Sequence, residues 1–261
     1  MRVIAFINQK GGVGKTATCH NVGAALASCG LDVLLVDLDP QGSLTQSAGL
    51  DDLADEALTV YEVLAGADVN EAIQTKTTST KYDVLPADIR LSAGEIELVN
   101  ADRRNFLLRD ALGRIRKQYD YILIDCPPSL NIFSLMALTA ATEAIIPVQA
   151  QYLPLKGVAQ LRDTINLVRQ RFNPALKIAG VLLTFFDDRR TLDKDVQEAL
   201  EQAFKSRVFN TKIRQYTKIA IAPSYGTDIL SFSARSAAAA QYRLLAEEIR
   251  EQETTEEAHR R

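Results

Sequence analysis

The chain has 261 residues, with 30 Lys or Arg against 33 Asp or Glu and a net charge of -3. Hydrophobic residues make up 47% and charged residues 24%, the balance of an ordinary globular protein long enough for one large α/β domain. That balance excludes a globally basic nucleic-acid binder, so DNA affinity has to come from a local patch. Two histidines, and three cysteines without a C-x-x-C, exclude a His-rich metal site and a disulfide framework. No apolar run reaches the ~18 to 20 residues of a membrane span.

Residues 3–7 are β-rich and apolar, and they run straight into a glycine loop, which predicts a first strand and not a signal peptide. A helix follows over 16–28, ending near Gly30, then a buried strand over 32–40 and a Gly/Ser turn. Residues 59–66 read as a short helix, 82–88 as a strand, 92–117 as helical and 119–128 as a strand. A strand over 143–150, a helix over 155–172 and a strand over 177–186 come next. A helix over 191–205, a short strand over 207–213 and a last helix over 235–250 close the series. Continuous apolar strands suit a parallel sheet covered on both faces. Their alternation with helices predicts an α/β fold, a doubly wound, mostly parallel sheet flanked by helices. Residues 1–250 form one domain on this reading, and the polar tail 251–261 is expected to fray.

The stretch NQKGGVGKTATC, residues 8–19, sits between the first strand and the first helix. It resembles the pattern G-x-x-x-x-G-K-[ST], except that Gln9 stands where the first glycine belongs. Backbone N–H groups from Gly11 through Gly12, Val13, Gly14 and Lys15 to Thr16 can wrap phosphate oxygens, and the helix dipole favours the negative charge. Lys15 is placed to reach the terminal phosphates and the Thr16 hydroxyl to hold Mg²⁺. Ala17 closes the loop set just beyond the phosphate ligands. Asp125, at the end of the apolar run YILID, has the Walker B form and completes the metal site. Asp37 and Asp39 add two acids. Asp39 lies nearer the mouth, where it can orient an attacking water or serve the metal, and Asp37 serves Mg²⁺ or structure. Lys10 is a second lysine, for which the ordinary pattern has no place.

KGGVGKT (10–16), VDLDPQG (36–42) and DCPPSL (125–130) resemble the deviant-Walker P-loop ATPases of the ParA/MinD group. GEIELV (94–99), IPVQAQYLPLKGVAQL (146–161), GVLLTFFDDRRTL (180–192) and APSYG (222–226) are similar to its small ParA, or Soj-type, branch. The resemblance spans about residues 2–250. It implies an ATPase with ATP and Mg²⁺ as cofactors, and catalytic roles for Lys10, Lys15 and Asp39. Lys10 then crosses a homodimer interface to the partner's ATP, so that two sandwiched nucleotides hold two subunits together. The resemblance also implies non-specific double-stranded DNA as a partner, with contacts at Arg189 and Lys218; Arg190 beside the first and the surrounding charge Arg235 are expected to join them. Around Lys218 the chain departs from the branch, with Ala220 for Ser, Ile221 for Glu and Arg214-Gln215 for Pro-Arg. Further charges at Lys205, Arg207, Lys212 and Arg214 extend the basic face.

A ParB-like partner that stimulates hydrolysis, chromosome or plasmid segregation, and a cytoplasmic, nucleoid-associated location are the further expectations. With the first strand starting at residue 2, no helix-turn-helix domain is expected ahead of it, so sequence specificity is expected to come from the partner. Positioning of another cargo, such as chemoreceptor clusters or organelles, is the alternative. A MinD-like membrane switch requires a basic, apolar C-terminal helix, whereas AEEIREQETTEEAHRR is acid-rich with Ile249 as its one bulky apolar residue. No membrane partner is expected. An iron–sulfur reductase needs paired cysteines across a dimer, which Cys19, Cys29 and Cys126 do not supply. A scaffold without turnover is at odds with Lys15, Thr16, Asp39 and Asp125 together.

Overall fold

Side chains alternate across the strands, and that alternation decides the layering. The computed structural model describes residues 1–51, 53–54, 56–77, 80–150 and 155–260. Its strands are β1 (Arg2–Phe6), β2 (Val33–Asp37), β3 (Gln74–Thr77), β4 (Lys81–Leu85), β5 (Tyr121–Asp125), β6 (Glu143–Gln149) and β7 (Lys177–Thr184). They form one sheet in the order β3-β4-β2-β5-β1-β6-β7, parallel except for β3, which runs antiparallel to β4. The helices are α1 (Lys15–Ser28), α2 (Ser43–Ser47), α3 (Val60–Leu64), α4 (Val69–Ala72), α5 (Leu91–Glu97) and α6 (Leu107–Leu112). They continue with α7 (Ile132–Ala140), α8 (Leu155–Arg171), α9 (Thr191–Phe204), α10 (Thr217–Ile221), α11 (Ile229–Phe232) and α12 (Ala237–Arg260).

Val3, Ala5, Leu34, Val36, Ile122 and Ile124 face one side, where they meet residues of α3, α7, α8 and α9. Ile4, Phe6, Val33, Leu35, Tyr121 and Leu123 face the other, against α1 and α12. Both faces are therefore dry, which is why these strands read as unbroken apolar runs. After β1 the chain moves to one side of that strand, and after β5 it moves to the other. Ligands of open α/β sheets bind beyond the strand ends at such a reversal. Register places Phe6 and Asp37 each opposite Asp125, so β1, β2 and β5 end level with one another at that crevice.

Several elements differ from the sequence reading. The strand expected over 32–40 stops at Asp37, which leaves Asp39 in a turn. The helix expected over 92–117 divides into α5, two 3₁₀ turns and α6, because Arg103 takes a left-handed conformation (φ 53°) that a helix does not accommodate. The strand expected over 207–213 is reduced to single bridges at Val208 and Ile213. The N–H groups of Asn210 and Thr211 instead donate to the Glu248 carboxylate, at 2.7 and 3.0 Å. The last helix runs to Arg260 and does not end at 250, since neither glycine nor proline interrupts it. Edge strand β3 is polar and carries Lys76, so no apolar alternation announced it. Helix α7 is apolar nearly throughout and sits between two apolar strands, and the sequence reading assigned no element there. Residues 151–154 of the 146–161 motif, and residue 261 of the tail, lie outside the described residues.

One wall of the crevice depends on two glycines in contact. Gly49 follows α2 with φ 71°, and Gly226 precedes α11 with φ 59°. A Cβ at Gly226 would lie 2.6 Å from Gly49 Cα, and one at Gly49 would lie 2.8 Å from the Gly226 carbonyl oxygen. Gly226→Ala adds both backbone strain and overlap with backbone. It is expected to lower stability by about 2–4 kcal/mol, measured as a lower urea midpoint at unchanged m-value.

Candidate nucleotide site and basic surface

The loop between β1 and α1 is anchored at both ends and in the middle. Asn8 Oδ1 accepts from Lys10 N at 3.1 Å, while Asn8 Nδ2 donates to the Pro147 carbonyl of β6 at 2.7 Å. Thr184 Oγ1, at the end of β7, donates to the Val13 carbonyl at 2.9 Å. Gly12 and Gly14 take φ 71° and 83°, and Gly14 is the residue that caps α1. The first turn of α1 holds no acid, so its N–H groups and dipole face the crevice uncompensated.

Lys15 is buried, and its Nζ donates to the Lys10 carbonyl at 3.4 Å. Burial pulls its pKa down, against the nearby Asp125 carboxylate, which pulls it up. Thr16 Oγ1 donates to Asp125 Oδ2 at 2.6 Å. Asp125 is fully buried, and its Oδ1 has no hydrogen-bond partner. Burial and the neighbouring Asp37 push the Asp125 carboxyl well above its ordinary range. An orphaned buried oxygen beside a threonine hydroxyl is an all-oxygen donor set that suits Mg²⁺, which takes one or two carboxylates and completes its shell with water and phosphate. Among the described residues no cluster of three or more His, Cys, Asp or Glu competes for a transition metal.

The two acids after β2 separate. Asp37 is fully buried. Its Oδ1 accepts from Asp39 N at 3.0 Å, and its Oδ2 accepts from Thr45 N at 2.9 Å and Thr45 Oγ1 at 2.8 Å. Every one of these partners is structural, so Asp37 holds the turn and the start of α2. Asp39 is half-buried, takes Gln41 N at 3.0 Å and lines the crevice. The crevice encloses about 950 Å³, within the range of ligand sites. Gly11, Gly12, Gly14, Lys15, Thr16 and Ala17 line its phosphate end, while Val13 turns its side chain into the core. Phe185, Tyr216, Ile219 and Pro223 give the other end an apolar lining that sequence reasoning did not single out. Phe185 is itself strained, at φ 54°. Lys10 is exposed and does not line this crevice; its Nζ lies 3.3 Å from Gln149 Oε1.

Arg189, Arg190 and Arg214 form a basic strip. Arg189 is 88% exposed and binds Asp187 through Nε and Nη2, both at 2.9 Å. Arg190 lies 3.8 Å from the same carboxylate, and Arg214 donates to Asp188 at 2.5 Å. The Arg214 backbone N donates to Gln241 of α12 at 3.0 Å, and Arg243, two residues further along α12, donates to the Ala234 carbonyl at 2.8 Å. Ala234 is followed by exposed Arg235, and Lys218 Nζ reaches Ser233 Oγ at 2.9 Å. Arg189, Arg190 and Arg214 thus line one surface groove, while Lys218 lies against the 233–235 segment that carries Arg235. Lys212 departs from the groove, stacking over Phe186 and donating to Gln197.

The AAA domain family matches residues 1–178. The chain is 45% identical to the sporulation initiation inhibitor protein Soj of Bacillus subtilis, over 95% of this chain and 98% of that protein. It is 42% identical to the chromosome partitioning protein ParA of Caulobacter vibrioides, over 99% and 97% respectively. The solved structure of the septum site-determining protein MinD with Mg-ADP from Pyrococcus horikoshii superposes with a TM-score of 0.76 at 26% identity, covering 95% of each chain. A cobyrinic acid a,c-diamide synthase from Mycobacterium smegmatis, with bound ATP analog and magnesium, gives 0.82 at 37% identity, covering 95% and 93%.

Thr45 donates to Asp37 and accepts from Ala87 N at 2.9 Å, so Thr45→Val leaves the buried Ala87 N–H without that acceptor and removes one of the three hydrogen bonds to Asp37. The expected cost is about 2–3 kcal/mol. The Asp37 carboxyl is pushed up to about 6, chiefly by burial. A raised folded-state pKa means that the folded chain holds the proton more tightly, so the Asp37 contribution falls as pH rises from about 4 to about 6. The Thr45→Val penalty should accordingly be larger at pH 8 than at pH 5, measured by urea unfolding at both.

Proposed function

The chain belongs to the Soj/ParA branch of the P-loop ATPases, and from that premise we propose that it is a nucleotide-driven dimer that grips nucleoid DNA and releases it after hydrolysis. It hydrolyses ATP with Mg²⁺ as cofactor, in chromosome or plasmid partitioning. The observation that carries the dimer is the division between two lysines. Lys15 is buried inside the crevice, whereas Lys10 is exposed and outside it. A lysine exposed outside its own crevice can serve a facing one, where two triphosphates repel and a cation from each side offsets them.

In this reading the loop N–H groups of residues 11–16 and Lys15 bind the phosphates. Thr16 and Asp125, with Asp39 close by, would hold Mg²⁺, which would supply charge neutralisation at the phosphates. Asp39 orients the attacking water from the wall of the crevice. The apolar end at Phe185 and Pro223 receives the base. Arg189, Arg190, Lys218 and Arg235 grip duplex phosphates without base preference, and a ParB-like partner stimulates turnover and supplies specificity. Such a cycle belongs in the cytoplasm, on the nucleoid.

Lys10→Ala is expected to retain ATP binding by calorimetry but to lose the ATP-dependent dimer in light scattering. Asp39→Ala is expected to keep ATP and the dimer while turnover falls by about 10²-fold or more, because a water-orienting carboxylate acts on the transition state and not on the ground state. Unchanged turnover would remove Asp39 from the chemistry.

The DNA reading is tested by duplex binding with ATP across a salt series. Arg189→Glu should weaken binding strongly and flatten the slope of log K against log salt by about two contacts per symmetric dimer, at roughly 0.9 each. Binding as tight as wild type would place the grip elsewhere.

A further inference from the structure

The basic strip is not bare in the unbound chain. Asp187 takes both the Nε and the Nη2 of Arg189, with Arg190 behind it, and Asp188 takes Arg214. Three of the guanidinium groups on the strip therefore already face two carboxylates. We propose that Asp187 and Asp188 stand in for DNA phosphates, holding Arg189 and Arg214 until the duplex takes their place, so that binding is an exchange of carboxylate for phosphate. The proposal rests on the DNA reading above and goes beyond it, since it assigns the acids a role.

The guanidinium fork fits both anions in the same planar, bidentate manner. Asp187 presents that arrangement to Arg189 now, at 2.9 Å on each arm. Asp187 also accepts Arg189 N at 3.1 Å, and its own N–H is taken by buried Asp193 at 2.8 Å, which fixes the carboxylate at the turn before α9. Asp188 has a simpler role: it is exposed, it takes Arg214 directly, and its charge also acts on neighbouring Arg189. Exposed pairs of this kind are weak, so phosphate can displace the acid readily. The displaced acid nevertheless stays nearby, and a unit charge about 7 Å from a phosphate in water costs roughly a factor of three in affinity. The released carboxylate also recruits a cation, which offsets part of the counterion release that drives binding. Lys218 rests on a neutral hydroxyl and keeps its full charge, so it supplies attraction before the exchange.

The experiment is duplex binding with ATP over a salt series, for wild type, Asp188→Asn, Asp187→Asn and Asp188→Asn/Arg214→Ala. Asn keeps an acceptor for the turn in place of Asp187. Asp188 makes no backbone contact, so its variant stays informative if Asp187→Asn folds poorly. Asp188→Asn is expected to bind about tenfold tighter per symmetric dimer, roughly threefold from each subunit, with a steeper salt slope. Adding Arg214→Ala should abolish that gain, as expected for two residues coupled through one contact. Unchanged or weaker binding by Asp188→Asn, at an unchanged slope, would overturn the exchange. So would a gain that survives Arg214→Ala, since that is diffuse repulsion only. If wild type with ATP fails to retain duplex even at low salt, the DNA reading itself falls and takes the exchange with it.

Discussion

The hydrogen bond from Thr16 to Asp125, 2.6 Å long, joins the first turn of α1 to the end of the central strand β5. Much of the site follows from it. The bond requires β1 and β5 to end level, which their register provides through Phe6 and Asp125. It brings the helix N-terminus, the buried Lys15 and the acid of β5 into one small volume. One oxygen of Asp125 remains unpaired there. In a dry interior such a group is costly, and a cation shared with phosphate offsets that cost.

Charge is arranged by depth. Asp37 is buried and spends its hydrogen bonds on Asp39 N and Thr45, so it builds the turn that presents Asp39. Asp39 is displaced from the strand and reaches the crevice. Two acids separated by one residue therefore differ in setting, one buried in the turn and one on the crevice wall. Lys15 and Lys10 divide in the same way, one within the crevice and one outside it. A loop that carries both can bind a nucleotide and at the same time offer a charge to a facing surface.

The crevice and the basic strip share a wall. Phe185, Asp187, Arg189, Arg190 and Arg214 line the crevice, and several of them also carry the exposed charges. Thr184, one residue before Phe185, holds the phosphate loop through the Val13 carbonyl. The strained Phe185 lies between that anchor and the arginines. A short segment thus touches both the nucleotide loop and the surface charges, which places the two in mechanical contact within one subunit.

A strand, a glycine loop and a helix in immediate succession were legible in residues 3–28, and so was an acid closing the apolar run YILID. The layering was equally legible, because strands buried on two faces must be apolar throughout. Local sequence did not carry the break at Arg103, the polar edge strand β3 or the failed strand at 207–213, the last of which depends on Glu248 from another segment. Nor did it separate Asp37 from Asp39, place Lys10 outside the crevice, or pair Asp187 and Asp188 with the arginines. Those outcomes depend on burial and on which remote groups arrive alongside. Loop and strand chemistry is set by neighbours in the chain, whereas the environment of a charge is set by neighbours in space, and only the folded chain brings those together.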